Sequence, residues 1–261
     1  MREFETVKVE QVGAAGVLTL NRPEKRNAIN FKMMDEIEAA LADLGVSDAV
    51  YGVIVTGAGA CFSSGVDLNG MRDMSAARDF TEYMSRWRRL NKLFETNPKP
   101  IVAAIEGYCL TGGLELATAC DLRVGAEGSS YTITSSKIGT VPGAGGTQRL
   151  PRLIGVSNAL DILFSAEPVD ANRARQMGLL NRLTNRGGAL EEALNMVETY
   201  AQRAPLSLQF CKRAVYAGMN MSLDDALEFE GFVVNTIYTT TDKQEGVRAF
   251  LEKRAPRFTG R

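Results

Sequence analysis

KPIVAAIEGYCLTGGLELATACD, residues 99–121, is the stretch of this sequence that decides the fold. Its apolar run at residues 101–105 has the length of a strand, and Gly107 interrupts the run. Residues 114–119 are mostly apolar and are typical of a buried helix. We therefore predict a strand, a glycine-containing turn and a helix that begins near Gly112 or Gly113.

The start of this predicted helix combines hydrogen-bond donors with a carboxylate. The first N–H groups of a helix lack partners within the helix and lie at its positive dipole end. Gly112 and Gly113 carry no side chain that could cover them, and Glu115 stands in the first turn. The pattern favours an oxyanion site beside an acid or base. A glycine-tolerant turn followed by a Glu that the helix dipole favours accounts for it equally well.

Composition and charge exclude several classes of partner. The chain has 261 residues, 45% of them hydrophobic, which is enough for one large core or a core with a small appendage. The formal net charge is -1 and the basic residues are scattered, so we expect no nucleic-acid partner. The charged start, MREFETVKVE, does not resemble a signal peptide, and no apolar run has membrane-spanning length. We expect a cytoplasmic protein without a membrane partner.

The absence of histidine narrows the chemistry further. With 0 His in the chain, triads that use Ser-His or Cys-His and zinc sites built on imidazole are excluded, and we expect no metal site. Proton transfer must then fall to carboxylates, Lys, Tyr or water, which makes Glu115 the leading candidate base. A binding protein without any catalytic base is the alternative. The cysteines show no paired spacing and are expected to be reduced: Cys61, Cys109, Cys120 and Cys211.

A second glycine loop repeats the design of the first. A predicted strand at residues 51–56 leads to FSSGVDL, residues 62–68. This loop places a small residue, a glycine, an apolar residue, an acid and a leucine in the order found in GGLEL, residues 112–116. Two such units indicate a repeated β-β-α architecture rather than a doubly wound nucleotide-binding sheet. Neither loop fits the phosphate-binding glycine patterns.

Hydrophobic periodicity places the remaining elements of the first half. Alternation predicts a hairpin of strands at residues 6–10 and 17–20, and a helical period predicts helices at residues 31–44 and 76–95. The second of these helices carries an apolar stripe that is either core or the wall of an apolar ligand pocket. The stripe consists of Phe80, Met84, Trp87, Leu90, Leu93 and Phe94.

The second half of the chain is predicted to be mainly helical. Asp170 is expected to cap a short helix that precedes a strand at residues 179–183, and the chain is expected to be helical from residue 189 onward. Residues 222–225 and 242–245 both read as capping boxes.

In their order and spacing, six segments of this chain resemble the crotonase, or enoyl-CoA hydratase/isomerase, superfamily over essentially the whole length. The segments are Asn21-Arg22-Pro23 with Asn27-Ala28, residues 62–68, residues 99–121, residues 142–150, residues 174–180 and residues 245–254. The resemblance implies an α/β fold, a crotonase-like β-β-α superhelix at residues 1–200 with a C-terminal helical oligomerisation region at residues 201–261. It also implies homotrimers or hexamers that act on acyl-CoA thioesters, with coenzyme A as part of the substrate and no separate cofactor.

The same resemblance assigns roles to single residues. It places the two oxyanion donors on the backbone N–H groups of Val66 and Gly112, and it makes Asp67 a structural acid. Hydratases of this family use two glutamates; Glu115 matches the first, whereas the second falls on Ser135. A serine hydroxyl is too weak an acid or base to replace a carboxylate. The most direct interpretation is therefore enoyl-CoA hydration by Glu115 alone. The alternatives are enoyl-CoA isomerisation, a different one-carboxylate reaction, and a weakly active homologue that binds acyl-CoA.

Lys137 is the one nearby side chain that could replace the missing acid. We expect it not to do so, since neighbouring positions on an extended strand face opposite sides. For the substrate, the resemblance implies a surface that contacts the adenine and pantetheine of coenzyme A. It also implies two residues that reach the nucleotide bound by a neighbouring subunit. Solvated surface charge accounts equally well for Arg26 and Lys253. The implied substrate contacts are Arg26, Ala28, Ser64, Val66, Asp67, Leu68, Gly112, Gly113 and Ser135, with Phe250 and Lys253 from the neighbour.

Overall fold

The computed structural model describes residues 2–69 and 77–261 of the chain. Nine strands are found there. They are β1 (Val7–Val12), β2 (Ala15–Leu20), β3 (Gly52–Gly57), β4 (Ile101–Ile105), β5 (Tyr108–Leu110), β6 (Leu122–Ala126), β7 (Ser130–Thr132), β8 (Val169–Asp170) and β9 (Arg182–Thr184).

The same described residues form ten α-helices and two short 3-10 helices, Pro23–Lys25 and Ser135–Ile138. The α-helices are α1 (Phe31–Val46), α2 (Ala77–Thr96), α3 (Gly112–Ala119), α4 (Gly146–Ile154), α5 (Val156–Ser165), α6 (Ala171–Gln176), α7 (Ala189–Ala201), α8 (Pro205–Gly218), α9 (Leu223–Tyr238) and α10 (Thr241–Leu251).

Two sheets organise the first part of the chain. The larger sheet has the strand order β1-β2-β3-β4-β6-β9, in which only the β1-β2 hairpin is antiparallel. The smaller sheet has the order β5-β7-β8. All five residues of β4 are buried, as expected for a parallel strand covered on both faces. The repeated strand, strand and helix units confirm the predicted α/β class.

Several predicted elements are confirmed close to their predicted bounds. The strand and helix of residues 99–121 are β4 and α3, and α3 begins at Gly112. Helix α1 buries the face that its periodicity predicted, which consists of Met33, Met34, Ile37, Ala40, Leu41 and Leu44. Helix α2 is also confirmed, and its predicted first residue, Ala76, lies outside the described residues.

Two local predictions are wrong. The strand predicted at residues 179–183 begins only at Arg182, because the backbone N–H groups of Leu179 and Leu180 donate to Ala174 O and complete the end of α6. The capping box at residues 242–245 does not form, because Thr240 caps α10 by accepting a hydrogen bond from Lys243 N. The buried Asp242 carboxylate instead accepts hydrogen bonds from the N–H groups of residues 259 and 260.

The C-terminal helices leave much apolar surface uncovered. Neither α8 nor α9 contains a buried residue. Leu223, Leu227 and Phe232 are 74%, 54% and 64% exposed. In the part of the chain that the structure describes, no helix has both the length and the apolar character needed to cross a membrane. The division of the chain at residue 200 stays a prediction.

Candidate active site

The turn before α3 is held in an unusual backbone conformation. Thr111 has φ 46°, in the left-handed region that residues with a Cβ seldom adopt. Its N–H donates to Thr132 O at 2.7 Å, and its hydroxyl lies 2.9 Å from the Thr134 hydroxyl. These contacts fix the turn at the point where Gly112 begins the helix. Among the described residues, the Gly112 N–H has no hydrogen-bond partner.

In the second glycine loop, the pairing with Ile29 leaves another backbone N–H group without a hydrogen-bond partner. Ile29 N donates to Gly65 O at 2.7 Å, and Asp67 N donates to Ile29 O at 2.9 Å. In this parallel bridge the intervening residue, Val66, directs its own N–H away from Ile29. Within residues 2–69 and 77–261, the Val66 N–H has no partner.

The two loops lie side by side. Ser63 pairs with β5, since Ser63 N donates to Tyr108 O at 3.1 Å and Leu110 N donates to Ser63 O at 2.9 Å. A Cβ placed on Gly65 would lie 3.2 Å from Gly112 N, and one placed on Gly112 would lie 3.4 Å from Val66 N. The unpaired N–H groups of Val66 and Gly112 are therefore neighbours, as an oxyanion hole requires.

The carboxylate of Glu115 is buried in the same region. Its Oε1 accepts hydrogen bonds from Ala144 N at 2.7 Å and Gly146 N at 2.8 Å. Among the described residues, Oε2 accepts none. Burial raises the pKa of Glu115 to about 7, against the two N–H bonds and the positive charge of Arg149, which lower it. The group can thus exchange a proton near neutral pH.

Ser135 lies in a 3-10 helix rather than in the extended strand that the sequence suggested. It is buried and directly follows Thr134, which contacts the turn at Thr111. Lys137 is half exposed and forms an ion pair with Glu167 at 2.9 Å. A surface partner thus supports the expectation that Lys137 does not replace the missing acid, although the argument from strand alternation does not hold for a 3-10 helix.

The predicted surface for coenzyme A is brought together in part. Ser64 N donates to Arg26 O at 2.9 Å, and Arg22 Nη1 donates to Ala28 O at 2.6 Å. The same Arg22 forms an ion pair with Asp67 at 2.9 Å, which fits the structural role expected for Asp67. These contacts join the segment that contains Arg26 and Ala28 to the loop of Ser64, Val66, Asp67 and Leu68, and Leu68 is 60% exposed.

Phe250 and Lys253 lie apart from these loops. Both are exposed at the C-terminal end of α10, where Phe250 is 82% exposed. Within the described part of one chain, no hydrogen bond or ion pair joins them to the glycine loops. Their expected contact with a neighbouring subunit's nucleotide stays a prediction.

Sequence reasoning missed the groups that hold Glu115. The donors Ala144 and Gly146 belong to the segment PGAGGTQRL, residues 142–150, which carries the family resemblance but no predicted role. A glycine-rich stretch presents backbone N–H groups that no side chain covers, and this signal could have indicated them. Trp87, a member of the predicted apolar stripe, is fully buried, and its Cζ2 would lie 3.4 Å from a Cβ on Gly112.

Two adjacent N–H donors beside a buried carboxylate are the arrangement that an enzyme needs to stabilise an oxyanion while a proton moves. Comparisons with known proteins give the family of the chain. Residues 10–261 match the family model described as enoyl-CoA hydratase/isomerase. The chain therefore belongs to the enoyl-CoA hydratase/isomerase family of enzymes.

Individual relatives cover nearly the whole chain. The 2,3-dehydroadipyl-CoA hydratase of Escherichia coli is 37% identical over 250 residues, which are 94% of this chain and 95% of that protein. The probable enoyl-CoA hydratase echA8 of Mycobacterium tuberculosis is 35% identical and covers 99% of both chains. The crystal structure of an enoyl-CoA hydratase from Bacillus anthracis superposes with a TM-score of 0.94 at 32% identity, over 98% of this chain and 100% of that chain.

Proposed function

We propose that this enzyme adds water to the double bond of a 2-enoyl-CoA thioester, with Glu115 as the acid and base. The observation that carries the proposal is the buried Glu115 carboxylate, with its pKa raised to about 7, in the helix that begins at the free Gly112 N–H. The relatives described above are named hydratases, which supports the same reaction.

In the first step, the thioester oxygen accepts hydrogen bonds from Val66 N and Gly112 N. Glu115 takes a proton from water while the water oxygen bonds to carbon three. The electron pair of the double bond moves onto the thioester oxygen as an enolate. Removing one such donor from an enzyme typically raises the barrier by about 3–4 kcal/mol, so the two donors are the main source of stabilisation for this intermediate.

In the second step, Glu115 returns the proton to carbon two and the enolate collapses to the thioester. Water thereby supplies both the hydroxyl and the hydrogen, and the protein ends in its starting protonation state. Ser135 can bind the water through its hydroxyl but cannot share the proton transfer. A second general acid or base typically contributes about a hundredfold to ten-thousandfold, so hydration here is expected to be slower than with two carboxylates.

Isomerisation of an enoyl-CoA is the second candidate, and Ser135 favours it. Moving a double bond needs one base that removes and returns a proton, and Glu115 suffices for that. A weakly active acyl-CoA-binding protein is the third reading. The buried carboxylate beside two free N–H groups argues against it, because burying an ionisable group costs free energy and a site that only binds the thioester does not need one.

The substrate's coenzyme A is proposed to lie along Arg26, Ala28, Ser64 and Leu68, with no separate cofactor. We further propose that the chain forms a homotrimer or a hexamer, in which Phe250 and Lys253 reach a neighbour's nucleotide. The exposed apolar residues of α8 and α9 support an assembly. A cytoplasmic location stays a prediction from the sequence.

A panel of saturated, 2-enoyl and 3-enoyl thioesters with product analysis tests the proposal. Hydration predicts a 3-hydroxyacyl product from the 2-enoyl substrate, with oxygen derived from labelled water. Conversion of 3-enoyl to 2-enoyl thioester without a hydroxyl product would instead identify an isomerase. Tight binding of all three thioesters without turnover would support the binding homologue.

A further inference from the structure

One face of α2 contacts the loop that holds Glu115. Asn91 is 2% exposed, and its Nδ2 donates to Ala144 O at 2.5 Å. Only the amide nitrogen can donate to a carbonyl, so this contact fixes the orientation of the side chain. The other amide atom, Oδ1, is buried and has no partner among the described residues. Among the described residues, the hydrogen bond to Ala144 O is therefore the one that the Asn91 side chain makes.

The loop needs such a contact because its own backbone is permissive. Glycines stand at positions 143, 145 and 146, and Gly145 has φ 106°. Two of its N–H groups, those of Ala144 and Gly146, donate to Glu115 Oε1. Asn91 binds the Ala144 carbonyl and Glu115 binds the Ala144 N–H, so the backbone of Ala144 has little freedom to rotate.

We infer that Asn91 is a positioning residue that keeps Ala144 and Gly146 directed at the Glu115 carboxylate. The inference rests on the proposed function, since it takes Glu115 as the base. Among the described residues, Asn91 makes no hydrogen bond to Glu115, so its influence on the carboxylate passes through the loop. The contrasting interpretation is that Asn91 only stabilises the packing of α2 against the loop.

Asn91→Ala separates the two interpretations. Loss of the hold on Ala144 loosens the two N–H bonds, which stabilise the ionised form of Glu115 and so lower its pKa. The Glu115 pKa should rise, and the acid limb of kcat should move to higher pH. Misplacement of the base should lower kcat by roughly tenfold at the alkaline plateau, with little change in KM.

Asn97→Ala is the matched control. Asn97 is 8% exposed just after α2, and its Nδ2 donates to a different backbone carbonyl, Leu41 O, at 3.1 Å. Both substitutions remove a buried amide that ties α2 to its surroundings, so both should lower Tm. Only Asn91→Ala should move the pH profile.

Asn91→Asp keeps the shape of the side chain and replaces the donor by a carboxylate. It should raise the Glu115 pKa further, because a second negative charge near Glu115 disfavours the ionised form. This variant also provides the test if Asn91→Ala does not fold. Unchanged acid limbs and kcat in the folded Asn91 variants, with Glu115→Gln inactive, would overturn the inference alone. Full activity of Glu115→Gln would instead overturn the proposed role of Glu115.

Discussion

Gly112 and Val66 approach so closely that Gly112 has no room for a side chain. A Cβ on Gly112 would lie 2.8 Å from Val66 Cγ2, so the Val66 side chain or the loop that carries it would have to shift. Gly112 does not have a positive φ, so its backbone conformation does not demand glycine. The close approach of the Val66 side chain is what favours glycine at this position.

Gly112→Ala should therefore damage catalysis through geometry. The added methyl group displaces Val66, and its N–H then no longer points at the thioester oxygen. Loss of one oxyanion donor predicts a fall in kcat of about a hundredfold to a thousandfold. Steady-state kinetics on the preferred thioester measures it, with coenzyme A affinity as a second readout.

Gly231→Ala provides the control for that substitution. Gly231 lies in α9, and nothing stands within 4 Å of a Cβ built there. Its kinetics should match those of the wild type. Normal turnover in Gly112→Ala would show that Val66 N and Gly112 N do not act together on the substrate.

Glu115→Gln should abolish most of the proton transfer. The amide keeps the size of the side chain and can still accept from Ala144 N and Gly146 N, but it cannot take a proton. Turnover should fall by about a hundredfold or more while thioester affinity changes little. Rapid-quench kinetics and calorimetric titration give the two quantities. Near-normal turnover on the preferred substrate would show that Glu115 is not the acid and base.

The predictions that succeeded from sequence are those decided by local chemistry. The strand and the helix that begins at Gly112 needed only an apolar run, a glycine that interrupts it and a second apolar run, all within residues 99–121. The oxyanion site at the start of that helix stays a prediction. The partners of Glu115 lie 29 and 31 residues further along the chain, and they contribute backbone N–H groups. A glycine-rich stretch indicates uncovered backbone N–H groups but not the acceptor that they bind, so their partnership with Glu115 appears only once the loop is folded.

The errors in the sequence reading arise where a distant partner outcompetes a local pattern. Asp242 stands in a good capping-box position, yet its carboxylate binds the N–H groups of residues 259 and 260 instead. Strand alternation is the basis for the prediction about Lys137, whereas residues 135–138 form a 3-10 helix. Neither outcome could be read from the neighbouring sequence alone.

The pH dependence of the wild type should show the raised pKa of Glu115. The base must be ionised to accept a proton from water, so activity should fall as the pH drops below about 7, the Glu115 pKa. The positive charge of Arg149 lowers this pKa. Arg149→Gln should therefore raise it and move the acid limb to higher pH.

Arg152→Gln serves as the control for Arg149→Gln. Arg152 is exposed in the same helix and bonds to Gln148 rather than to the loop of Glu115. Its acid limb should coincide with that of the wild type. An acid limb that stays in place in Arg149→Gln would mean that the measured pKa belongs to another group.

The chain should assemble through its exposed C-terminal helices. Burial of the apolar side chains of α9 between subunits offers about 25 cal/mol for each Å² removed from water. Light scattering should give three or six times the chain mass of 28.3 kDa. Phe232→Asp places a charge on a side chain that is 64% exposed in one chain and should lower the mass. A wild-type monomer at micromolar concentration that still binds coenzyme A esters would contradict the assembly.

Ser135→Glu tests the departure from the two-glutamate pattern. Ser135 is buried in a 3-10 helix beside the turn that contacts Thr111, and the larger carboxylate must fit there. If the site is a hydratase site that lacks only one acid, hydration of a short 2-enoyl thioester should rise by up to about a hundredfold, and the pH profile should gain a limb. If the enzyme has specialised in a one-carboxylate reaction, the new charge should raise the Glu115 pKa, shift the existing limb and lower the native rate. The conservative control is Ser135→Gln, which adds similar bulk without a charge. An unchanged rate and profile in Ser135→Glu would show that this side chain does not face the reacting carbons.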